Sequence, residues 1–106
     1  MTPIDFAALG RLDAAATPAP WRADFGGFHI MDPRNEDDIA SCDLGCDGQL
    51  LTAARNALPD LMAVVGAAAR LRREEQMGFP NGTRVRRHRI SLDAALSRFT
   101  NVEAQP

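Results

Sequence analysis

The chain has 106 residues, 45% hydrophobic and 25% charged, which suits one domain with a single modest core. No stretch nears the roughly 18 consecutive apolar residues of a membrane span, and Met1 to Ala16 lacks the basic flank and apolar run of a signal peptide, so a cytosolic protein without membrane contact is expected. The net charge of −2 conceals an asymmetry: residues 1–50 hold three arginines against nine acids, and residues 51–106 hold nine arginines against five.

Thr2-Pro3-Ile4-Asp5 reads as a helix start, with Thr2 as cap, Pro3 in the first turn and Asp5 where negative charge is favoured. Ile4, Ala8, Leu12 and Ala15 follow at helical spacing, and Thr17-Pro18-Ala19-Pro20 ends the helix by Ala16. Trp21–Phe25 and Phe28–Met31 flank Gly26-Gly27, the signature of a two-residue hairpin. The polar loop Asp32–Asp38 precedes a third short strand, Ile39–Cys42, which completes a meander.

Asp47 is placed to cap a second helix through Leu50, Leu51 and Ala54 to Asn56. Pro59 then predicts a break, with Asn56 capping a third helix that carries Leu58, Leu61, Met62, Val65, Ala68, Ala69 and Arg72 at helical spacing. Phe79–Thr83 is a turn-rich linker. Arg84-Val85-Arg86-Arg87-His88-Arg89-Ile90 reads as an edge strand or an ordered arm, and Ser91 caps a short last helix, Leu92–Phe99. The expected fold is therefore α+β: a small antiparallel sheet of about three strands packed against helices. Residues 1–78 form its core, and residues 79–106 add a basic C-terminal arm and short helix to the same domain.

Two separated segments resemble the Ead-like small accessory proteins of bacteriophages and prophages. Ala15-Ala16-Thr17-Pro18-Ala19-Pro20-Trp21 is similar to their Ala-Thr-Pro-Gly-Pro-Trp segment, with Ala19 in place of the glycine. Gln49–Leu61, which contains Ala-Ala-Arg-Asn-Ala-Leu-Pro, is similar to their later helix, and Ala69–Arg73 matches its Leu-Arg-rich end. The resemblance spans about Ile4 to Glu75. It implies a phage-type accessory protein in the cytosol of a bacterial host and carries over no catalytic residue.

Residue chemistry adds few candidates. His29, Cys42, Cys46 and His88 are zinc-ligand types, but the histidines are isolated and Cys42-x-x-x-Cys46 lacks a paired second half; free thiols in a reducing compartment are expected, with no metal and no cofactor. The acidic residues Asp32, Glu36, Asp37, Asp38, Asp43 and Asp47 match no EF-hand loop and read as a solvated acidic loop, of a kind that can also mimic nucleic acid or meet the basic surface of a partner. No phosphate loop or nucleophile motif is present, so no enzyme is expected. The sharpest feature is the run Arg84, Arg86, Arg87, His88 and Arg89.

These residues, with Asp37 and Asp38, are the expected partner-binding set. A host protein such as a defence-system component, bound in the manner of an inhibitor, is the leading expectation. Nucleic acid tracked by the arginine run, or a nucleotide held in a closed pocket, are the alternatives. The apolar helix Leu58–Arg73 is also suited to pairing with a second copy.

Overall fold

A computed structural model describes residues 3–77 and 80–100. It has three helices and a three-stranded antiparallel sheet, an α+β arrangement as the sequence predicts. The chain divides into two compact units, Met1–Pro59 and Asp60–Pro106.

In the first unit, helix α1 spans Phe6–Ala15. The expected cap Thr2 lies outside the described residues; Asp5 is the cap, its carboxylate accepting the Ala8 N–H at 3.0 Å. Strands β1 (Arg22–Asp24), β2 (His29–Asp32) and β3 (Asp37–Ser41) pair in the order β1-β2-β3. The β1–β2 connection is a 3-10 turn over Phe25–Gly27 rather than a two-residue hairpin, and its positive φ extends to Phe25 as well as both glycines. β3 starts two residues before the position predicted from its apolar stretch, because Asp37 and Asp38 pair with Asp32 and Met31. An edge strand tolerates such exposed acids, which also block further strand pairing. Ile30, in the central strand, is the fully buried large side chain of the described core.

The two consecutive helices predicted around Pro59 are one helix, α2 (Gly45–Glu75), with Pro59 inside it. The break was expected because proline lacks the N–H that would bond to the Arg55 carbonyl, at a cost of about 3 kcal/mol. The proposed cap is otherwise occupied: Asn56 uses both ends of its amide on the backbone of Trp21. Pairing there anchors a continuous helix instead of starting a new one.

In the second unit, Arg84–Ile90 is neither strand nor extended arm. It belongs to helix α3 (Gly82–Leu96), which begins at Asn81, whose side chain accepts the Arg84 N–H at 3.0 Å. The alternation around Val85 covers only a few residues. Val85, His88, Leu92 and Ala95 are all half-buried, and their spacings of three and four define a longer helical stripe. Glu74 is buried near the end of α2 and accepts the Asn81 N–H at 3.3 Å, which fixes the start of α3. Among the described residues, no helix is long and apolar enough to cross a membrane.

Candidate functional site

The proline-rich corner after α1 is a structural anchor. Thr17-Pro18-Ala19-Pro20 turns the chain so that Trp21 meets α2. Asn56 Oδ1 accepts the Trp21 N–H at 2.7 Å, and Asn56 Nδ2 donates to the Trp21 carbonyl at 3.0 Å. The Trp21 indole N–H donates to the Thr17 carbonyl at 2.9 Å. The Arg55 guanidinium lies 5.6 Å from the centre of the Trp21 ring, within range of a cation–π contact. It also donates to the Thr17 carbonyl and forms an ion pair with Asp13. The corner Thr17–Trp21 and the Arg55-Asn56 step of α2 are thus held together by these contacts.

Set against known protein families, curated proteins and solved structures, the chain matches none.

The remaining candidates are distributed over both units. Asp37 and Asp38 are exposed on edge strand β3, with Asp38 lying 3.8 Å from His29. Cys42 is half-buried and Cys46 exposed, both as free thiols. Among the described residues, no three His, Cys, Asp or Glu side chains converge to hold a metal ion. On α3, Arg84, Arg86, Arg87 and Arg89 are exposed, whereas His88 is half-buried. A helix turns by 100° per residue, so the four arginines spread around the exposed arc instead of dividing between two strand faces. Arg89 lies 4.0 Å from Glu75, and Arg98, beyond the helix, lies 3.7 Å from Asp60. An open groove of about 300 Å³ runs beside Leu71, Arg72, Glu75 and Leu92.

The role of Arg55 is not evident from the sequence, although the residue lies in the Ala-Ala-Arg-Asn segment. Its available signal was an arginine in an otherwise apolar helix directly before an asparagine. Pro80-Asn81-Gly82 likewise carries the α3 start signal, an Asx cap followed by helix-forming arginines.

Arg22 joins β1 to the β2–β3 turn by clamping two acids, with Nε 2.7 Å from Asp24 and a terminal nitrogen 2.5 Å from Glu36. These hydrogen bonds hold both carboxyls below their usual pKa values of 3.8 and 4.5. Carboxyls depressed on folding stabilise the native state above their unfolded pKa values, and that contribution disappears as pH falls through the folded values. The melting temperature is therefore expected to fall as pH drops below about 4.5. In Arg22→Ala this part of the decline should be smaller when thermal unfolding is followed by circular dichroism from pH 6 to pH 2.

Proposed function

We propose that this chain acts by binding rather than catalysis, as an accessory protein of the phage or prophage kind that its two motif segments resemble. Its target is a host protein in the bacterial cytosol, such as a component of a defence system, and it modulates that protein by occupying an acidic surface. The supporting observation is the exposed array of Arg84, Arg86, Arg87 and Arg89 on a capped helix. Arginine presents a planar fork that pairs with carboxylates, and a helix holds several of them in fixed relation at low entropic cost. His88 faces away from solvent more than its neighbours do and belongs to the packing of α3. Asp37 and Asp38 form a second, acidic contact surface on the first unit.

Phosphates are also recognised by arginine arrays, so nucleic acid is the competing partner. A tagged chain expressed in a bacterial host is expected to retain a specific protein in stoichiometric amount. Changing Arg84, Arg86, Arg87 and Arg89 to alanine should reduce its recovery at least about tenfold. Recovery of nucleic acid alone, released by salt, would replace a protein target with a nucleic-acid one.

A further inference from the structure

We propose that the turn between β1 and β2, with the sheet face beside it, is a cradle for an arginine of a partner protein, whose guanidinium stacks on Phe25 and pairs with Asp38. This inference deepens the acidic contact surface assigned above to Asp37 and Asp38 and rests on that reading; it is independent of the α3 arginines. Phe25 is 77% exposed, and its backbone lies in the left-handed region at φ +54°, where a bulky side chain is strained. Glycine or asparagine would hold that conformation with less strain. The turn is also pinned. Gln49 Nε2 donates to the Gly26 carbonyl at 2.9 Å, and the Gly27 backbone lies so close to Gly45 that a Cβ at Gly27 would stand 1.9 Å from the Gly45 carbonyl oxygen. The fold thus holds an aromatic ring in water, in a conformation that disfavours it, with His29 as its aromatic neighbour, edge to face at 5.4 Å between ring centres. Strain kept at an exposed side chain points to a use outside the chain.

The surroundings select the occupant. Asp24 pairs with His29 and Asp38 with Met31, which puts these four residues on one face of the sheet, opposite the face that buries Ile30. Arg22 already engages both carboxylate oxygens of Asp24 and both of Glu36. The Asp38 side chain, 67% exposed, lies 3.8 Å from His29 Nδ1, too far for a hydrogen bond, and is available to a donor. An open aromatic face near an available carboxylate is the pair of groups that a guanidinium recognises, through cation–π stacking and a forked hydrogen bond. The same unit contains an occupied version: Arg55 lies 5.6 Å from the centre of the Trp21 ring while pairing with Asp13. Phe25 and Asp38 repeat the aromatic and carboxylate halves at the surface, and the arginine comes from outside.

Charge complementarity agrees. Residues 35–54, which form β3 and the start of α2 beside the turn, hold five acids and no arginine, so a cation is drawn to this side of the unit. Phe28 and Leu44, both exposed, border the turn and offer apolar ground to the methylene stem of an arginine. Lysine lacks the planar fork and stacks less well, which makes arginine the preferred cation.

Amide NMR of the intact chain, titrated with the peptide acetyl-Gly-Arg-Gly-amide and with its lysine and citrulline counterparts, tests the cradle. Saturable shifts are expected at Phe25, Gly26, His29 and Asp38. The arginine peptide should bind at least about threefold more tightly than the lysine one, and the uncharged citrulline peptide should not bind. Phe25→Gly should weaken binding about fivefold or more while leaving the melting temperature unchanged or raised, because it relieves the positive φ. A ring that served the fold alone would lower the melting temperature when removed. Asp38→Asn should weaken binding about threefold. Equal binding of the three peptides would overturn the proposal, as would a Phe25→Gly variant that binds as well as the native chain. In that second case, shifts confined to Asp37 and Asp38 would leave the acidic contact surface standing, whereas no shift with any peptide would remove both. Self-association of the native chain that Phe25→Gly abolishes would overturn the partner protein as occupant in favour of a second copy.

Discussion

Arg55→Ala is expected to destabilise the Met1–Pro59 unit by about 3 kcal/mol, the lower end of the range for removing one partner of a buried ion pair. The Arg55 side chain is only 8% exposed, while that of Asp13 retains 28% exposure, so solvent partly relieves the carboxylate left behind. More is lost than a charge pair. The guanidinium donates to the carbonyls of both Asp13 and Thr17, and those acceptors cannot all be satisfied by a single replacement group. Its face also covers the Trp21 ring, adding a contact worth about 1 kcal/mol in a partly desolvated site. Arg55→Lys keeps the charge but loses the planar fork, and should recover less than half of the stability. Urea unfolding monitored by the fluorescence of Trp21, the single tryptophan, measures both effects directly. A loss below about 0.5 kcal/mol, the scale of an ordinary surface substitution, would show that the corner does not depend on this arginine.

Such a cluster explains which parts of the fold were legible beforehand. The meander announced itself through local signals: apolar stretches on either side of Gly26-Gly27, then a polar turn. α1 was equally local, ended by Pro18 and Pro20. By contrast, the predicted break at Pro59 failed because a residue 35 positions away in sequence claims the Asn56 side chain, and no local rule reveals that. Arg84–Ile90 failed for a different reason. Its polar-apolar alternation was too short to define a strand, while the packed stripe Val85, His88, Leu92 and Ala95 included a histidine that was counted among the basic residues. The exposed arginines were found from sequence, but their arrangement on a helix was not. Asn81 connects these observations, since its side chain caps α3 and its backbone N–H reaches Glu74.

Gly48→Ala is the complementary prediction, because here the destabilising change adds only one methyl group. Alanine in place of glycine inside an exposed helix ordinarily stabilises by about 1 kcal/mol, so propensity alone predicts a gain at Gly48. Its backbone, however, lies directly against the turn between β1 and β2. A Cβ at Gly48 would stand 1.6 Å from the Gly27 carbonyl oxygen, and one at Gly45 would stand 2.4 Å from that of Gly26. The neighbouring atoms are backbone, not a flexible side chain that can swing aside. Gln49 Nε2 meanwhile donates to the Gly26 carbonyl at 2.9 Å, tying the same turn to the same end of α2. To admit the methyl, turn and helix must separate and strain or break this connection, so a net loss of about 3 kcal/mol is expected. Gly82 provides the control: it lies in the first turn of α3, and a Cβ there meets nothing within 4 Å. Gly82→Ala should therefore leave stability unchanged or raise it by up to about 1 kcal/mol. Opposite signs for these two substitutions in chemical denaturation would identify backbone docking at Gly48 as the cause. A gain at both positions would mean that the turn does not rest on α2.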